Sequence, residues 1–111
     1  MTKYYLILIF LSFSIFLNAQ KVFSVDYANQ ADVKVFVCDY ESQADLLVYK
    51  VESQSRAEGN EGHWFFTEYG SQADKKIFFV DYENQADLKI FFVDYQSRAG
   101  WKKNSKKHLF Y

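Results

Sequence analysis

The chain contains no proline, four glycines, one methionine and a single cysteine, Cys38. Without proline, nothing along it removes a ladder hydrogen bond from a strand. With one cysteine it cannot close an internal disulfide, so a small exported domain built on it must rely on apolar packing, strand pairing and topology. Neither sign of charge dominates: 13 Lys and Arg stand against 14 Asp and Glu, a formal −1. No nucleic-acid partner is expected from that balance. His63 and His108 lack Cys, His, Asp or Glu partners at metal-ligand spacing, and no Ser, His and Asp order resembles a hydrolase. The sequence therefore assigns no catalytic residue, no cofactor and no metal site, and leaves any binding residue open.

What is present is repetition. Gln30-Ala31-Asp32 returns as Gln43-Ala44-Asp45, Gln72-Ala73-Asp74 and Gln85-Ala86-Asp87, with degenerate copies at Arg56-Ala57-Glu58 and Arg98-Ala99-Gly100. The step is 13 residues except between Arg56 and Gln72, where Asn60, Glu61 and Gly62 make it 16. A fixed internal period means a fold of stacked or wound copies of one unit, which constrains architecture more than activity. Six units begin at Lys21, Lys34, Leu47, His63, Lys76 and Lys89, giving halves 21 to 59 and 63 to 101 and a closing strand in 102 to 111. The loop through Glu58, Gly59, Asn60, Glu61 and Gly62 marks the junction and is expected to be a flexible surface segment.

Residues 1 to 19 stand outside the pattern. Lys3, the apolar stretch from Tyr4 to Leu17 and Ala19 read as a secretory signal peptide cut before Gln20. An uncleaved anchor is the alternative, but the stretch is short against the roughly 20 residues of a spanning helix. Cleavage leaves residues 20 to 111 as one secreted or periplasmic domain with no stable membrane insertion.

Each unit opens with a strand, as in Lys76-Ile77-Phe78-Phe79-Val80-Asp81-Tyr82, followed by a polar turn. Alternation puts the third, fifth and seventh positions on one face: Phe23, Val25, Tyr27; Phe36, Cys38, Tyr40; Tyr49, Val51, Ser53; Phe65, Thr67, Tyr69; Phe78, Val80, Tyr82; Phe91, Val93, Tyr95. That face is expected to form the core. The other face is apolar at one end and acidic at the other, and is expected to be half covered. Parallel strands in strict register would stack like carboxylates, so antiparallel or offset neighbours are favoured.

The repeated Ala-Asp-x-Lys-Val-Phe-Val-x-Asp-Tyr of Ala31 to Tyr40 and Ala86 to Tyr95, closed by Ser97-Arg98-Ala99-Gly100-Trp101 and the lysine-rich end, resembles the septoil-knot domain family. The resemblance covers Lys21 to Tyr111. It implies an all-β, toroidal, repeat-built domain whose chain is tied in a seven-crossing torus knot, and it transfers no activity and no catalytic residue. The alanines at 31, 44, 57, 73, 86 and 99 would allow the close passage such winding needs.

Two carboxylate series invite a calcium reading: Asp26, Asp39, Glu52, Glu68, Asp81, Asp94 and Asp32, Asp45, Glu58, Asp74, Asp87. Each turn, however, has one acid beside an alanine, so turn capping or lysine pairing is the preferred role. Cys38 occupies a position that is valine in other units and reads as a small hydrophobe. Lys102, Lys103, Lys106 and Lys107 could meet anionic lipid, an anionic glycan or nucleic acid, but are expected to pair with the acidic body of their own domain. The function expected is a non-enzymatic structural or interaction module, its partner an envelope protein or an anionic glycan, the alternative being a module that binds metal ions or a polyanionic glycan.

Overall fold

The structure, a computed structural model, describes residues 20–52 and 61–110. Residues 1 to 19, expected to be a signal peptide, most of the junction loop and the unit-three residues Ser53, Ala57 and Glu58 lie outside the described residues. Seven strands are formed: β1 (Gln20–Ser24), β2 (Val33–Val37), β3 (Leu46–Lys50), β4 (His63–Phe66), β5 (Lys75–Phe79), β6 (Leu88–Phe92) and the short β7 (Gly100–Trp101). They are rich in Val, Ile and Phe, and each complete unit ends in a one-turn 3-10 helix that the polar triplet before the alanine supplies.

Six strands close into a parallel ring in the order β4-β1-β5-β2-β6-β3, with β3 returning to β4. The order shows how the chain is wound. β1, β2 and β3 leave gaps on the first circuit, β5 enters between β1 and β2, β6 between β2 and β3, and β4 closes the ring between β3 and β1. Every described link crosses the interposed strand: the turn Ala28–Gln30 lies on β5, Glu41–Gln43 on β6, Gly70–Gln72 on β1, Glu83–Gln85 on β2 and Gln96–Arg98 on β3. The fold is thus an all-β toroid built from repeated units.

Neighbours are parallel but offset. Val22 lies opposite Lys75, Ile77 opposite Val33, Val35 opposite Leu88, Ile90 opposite Leu46, Trp64 opposite Gln20 and Lys50 opposite Trp64. At every junction a residue meets one two places earlier in the neighbouring unit. A constant stagger of this kind tilts the strands steeply and closes the sheet. It also keeps equivalent carboxylates out of direct register, which is the offset solution the charge pattern favours.

The main core lies on the opposite face from the one expected, although the fifth-position residues Val25, Cys38, Val51 and Val93 of the expected face are buried as well. Val22, Val35, Val48, Trp64, Ile77 and Ile90, the second residues of their units, fill the ring with Val33, Leu46 and Leu88 from two places earlier. Each such side chain stabilises the fold by roughly 1.5–3 kcal/mol. The reason is volume: six steeply tilted strands enclose a narrow axis whose middle takes branched aliphatic residues and one tryptophan, with Phe66, Phe79 and Phe92 packed against them at half-buried positions. Third-position aromatics lie outside, half-buried under the crossing links. Phe36, Tyr49 and Phe91 pack with Cys38, Ala44, Leu47 and Val93 in an outer cluster, and a Cβ placed on Gly70 would stand 3.3 Å from the Phe23 ring. The seventh-position tyrosines are not core residues, being 62–67% exposed at Tyr27, Tyr40, Tyr69, Tyr82 and Tyr95.

The closing strand is not in 102 to 111, where the described residues form no strand; a two-residue strand ends the sixth unit instead. It is β7, antiparallel to β3 through Leu46 and Leu47, and Asn104–Leu109 is a 3-10 helix. This segment seals one mouth of the ring: the Phe110 ring is 5.2 Å from that of Trp64 and 6.3 Å from that of Trp101. Gly62 also differs from expectation, since it is buried where β3, β4 and β7 meet.

Candidate functional site

The Gln-Ala-Asp motif turns out to set strand register. Asp32, Asp45, Asp74 and Asp87 each form a reciprocal pair with the first residue of a unit on a neighbouring strand. The Asp74 N–H donates to the Lys21 carbonyl at 2.7 Å, and the Lys21 N–H donates to Asp74 Oδ2 at 3.0 Å. The same exchange joins Asp87 to Lys34, Asp32 to Lys76 and Asp45 to Lys89, with Lys N–H to carboxylate distances of 2.9 Å. Each of these lysines is the second residue of its strand, and the aspartate carboxylate meets its N–H from the neighbouring strand. Capping is therefore the role of this series, though the partner is a distant backbone rather than the local turn.

The lysine-rich end is also committed to its own domain. Lys107 Nζ is 2.6 Å from Glu61 and Lys103 Nζ 3.7 Å from Asp45, while Lys102 and Lys106 donate to the carbonyls of Glu41 and Asp87 at 3.1 and 2.9 Å. Arg98 pairs with Glu41.

The histidines serve separate local contacts. His63 Nε2 meets the Gln96 carbonyl at 3.3 Å, and His108 Nδ1 meets the Ser105 carbonyl at 2.9 Å. Among the described residues no group of three or more His, Cys, Asp or Glu is placed to hold a metal ion.

Cys38 is buried in the outer cluster. Burial raises its thiol above the ordinary 9.0, assisted by Glu83. A raised folded value means the thiol favours stability at all pH below about 9 and loses that contribution as pH rises further. Cys38→Val is expected to alter stability by less than about 1.5 kcal/mol. A thiol reagent at pH 8 should label the native protein far more slowly than the urea-unfolded one; equal rates would contradict this burial.

Two features escaped the sequence reading. Lys50 Nζ, between β4 and β6, lies 4.5 Å from the Phe92 ring centroid and 5.4 Å from that of Phe66, a cation–π cover on the inward face. The other feature is the tyrosine corners. Tyr27, Tyr40, Tyr69, Tyr82 and Tyr95 have φ between −131° and −124° and ψ between 134° and 139°. In each case the carbonyl accepts the N–H three residues on at 3.1 Å. An exposed acid precedes each of them, at Asp26, Asp39, Glu68, Asp81 and Asp94, and exposed Asn, Ser, Gln or Arg side chains follow. One aromatic and acidic corner is thus displayed five times in one backbone geometry. A tyrosine recurring before a polar turn, always after an acid, was the sequence signal for a surface position.

The winding, the stagger and the repeated motif agree with a comparison against family models, in which the 7(1) septoil knot domain matches residues 19–102. The chain belongs to the septoil knot domain family. No curated protein and no solved structure matches it. Among the described residues of this septoil knot domain, the five exposed tyrosines and the acids beside them form a repeated set that neither ring closure nor register explains.

Proposed function

We propose that the protein is an exported, non-catalytic interaction module, secreted or periplasmic, whose chain is knotted and whose contact points are the tyrosine corners. The observation that carries this reading is the exposure of all five tyrosines in one repeated geometry. Aromatic side chains offer large contact area at low entropic cost, and leaving five of them in water gains the isolated fold nothing. Repetition adds avidity, because after one corner engages, the next meets its ligand at high effective concentration. The knot is supported by the two-circuit strand order and by five links that each cross an interposed strand. Export is supported by the leader-like residues 1 to 19.

A metal or polyanionic glycan finds less support. The Asp32 series is engaged by backbone N–H groups, the lysines by their own domain, and the corners are acidic.

The test compares wild type with a variant carrying Tyr→Ser at all five corners, both shown to be folded by circular dichroism. Retention of wild type on envelope material of the producing cell, falling at least tenfold in the variant, is expected. Equal retention, or turnover of a substrate by the purified protein, would remove the reading.

A further inference from the structure

We infer that one end of the ring docks a lysine-rich segment of a partner protein, an inference that rests on the tyrosine corners as contact points and names the chemistry they meet. The two ends of the ring differ. Where the strands begin, the closing segment seals the axis: β7 pairs with Leu46 and Leu47, and the Lys102 and Lys103 N–H groups donate to the Asp45 carbonyl. Where the strands end, the fourth residues of the units form an apolar mouth. Phe66, Phe79 and Phe92 are half-buried there, Val37 is 38% exposed, and Ser24 and Lys50 are exposed.

A rim of carboxylates surrounds that mouth. The fifth residue of every unit donates its N–H to the second-residue carbonyl of a neighbouring unit at 2.8–2.9 Å, so the ladder carries all six strands to the same end. The next residue is always an acid, and Asp26, Asp39, Glu52, Glu68, Asp81 and Asp94 are all exposed. Ser24 lies opposite Ile77, Val37 opposite Ile90 and Lys50 opposite Trp64. Two residues further on, that register sets Asp26 beside Phe79, Asp39 beside Phe92 and Glu52 beside Phe66. Aromatic faces interleaved with carboxylates attract a cation on an alkyl stem and repel an anion.

Lys50 already uses this chemistry, its ammonium 4.5 Å from the Phe92 centroid and 5.4 Å from that of Phe66. It fills one side of the mouth. Strand β5 stands across the ring from β3, and among the described residues no cation covers Phe79. That side, between Asp26 and Asp81, is the place for a partner's lysine. A single small cation would need only this spot, whereas six acids followed by exposed tyrosines at the same end match a chain carrying several ammonium groups.

Fluorescence anisotropy of a labelled oligolysine peptide titrated with the purified protein at physiological salt tests this. Two folded triple variants lose the same charge: Asp26→Asn, Asp39→Asn, Asp81→Asn at the mouth, and Glu41→Gln, Glu61→Gln, Glu83→Gln away from it. The mouth triple is expected to weaken binding about tenfold and the other less than about twofold, with Phe79→Leu, which keeps an apolar side chain without the ring, weaker than wild type. No binding by wild type, or equal losses in the two triples, would overturn the inference. So would free spermine binding as tightly as the peptide, because the occupant would then be a polyamine. Absent oligolysine binding beside envelope retention that still falls in the five-tyrosine variant would overturn the lysine-rich partner and leave the corners standing. Mouth-dependent peptide binding beside unchanged envelope retention would remove the corners alone.

Discussion

Gly62→Ala is expected to prevent stable closure of the ring. Gly62 has φ +82°, and a Cβ there would lie 2.4 Å from the Leu47 carbonyl oxygen, 2.8 Å from the Gly100 nitrogen and 3.1 Å from Ala99 Cβ. The left-handed backbone alone costs an alanine about 1–2 kcal/mol. The larger part is the clash, because the first two contacts are backbone atoms that cannot swing aside. Leu47 and Gly100 are paired across β3 and β7, and the Gly62 carbonyl accepts the Tyr49 N–H at 2.7 Å. Relieving the overlap therefore means breaking the junction where three strands meet. A loss above about 4 kcal/mol is expected, a large share of the roughly 5–15 kcal/mol available to a domain. Urea unfolding followed by circular dichroism measures it, and a variant within about 1 kcal/mol of wild type would contradict this role.

Asp45→Ala is expected to be the most damaging of the four register-clamp substitutions. Asp45 is 1% exposed. Its carboxylate accepts the Lys89 N–H at 2.9 Å, and its own carbonyl accepts the Lys102 and Lys103 N–H groups at 2.8 and 3.0 Å, tying the closing segment to β3. Truncation leaves the Lys89 N–H without its acceptor where water cannot easily replace it, at a cost of about 2–4 kcal/mol with the lost packing. Asp32, Asp74 and Asp87 make the same bond at exposed sites, so their alanine variants should lose about 1 kcal/mol or less. Asp45→Asn keeps an accepting oxygen and should fall between. Four equal losses would mean that burial does not set the strength of the clamp.

The period, the six strands and the five described turns that follow them were legible because they are local: apolar alternation followed by a polar triplet specifies strand and turn within one unit. Which face turns inward was not. Phe78 and Tyr82 look more core-like than Ile77 when judged singly, and only the narrow axis of a staggered six-strand ring selects the β-branched position. The clamp was half legible. An acid after Gln-Ala suggested capping, but its partners lie 44 or 53 residues away and become visible only once the winding is known. Gly62 was misread for the same reason: a glycine in a polar insertion resembles a loop residue until β7 is laid against β3.

The winding is the central claim, and stretching a single molecule by its two ends tests it most directly. The proposed knot, in a chain that passes twice around its ring with five described links each crossing a strand, would tighten under this pull, so the unfolded protein should reach a contour length measurably shorter than its residue count allows, and the deficit should persist on repeated pulls. Extension to the full contour length, with no residues retained, would show that the chain is not entangled and would contradict the account.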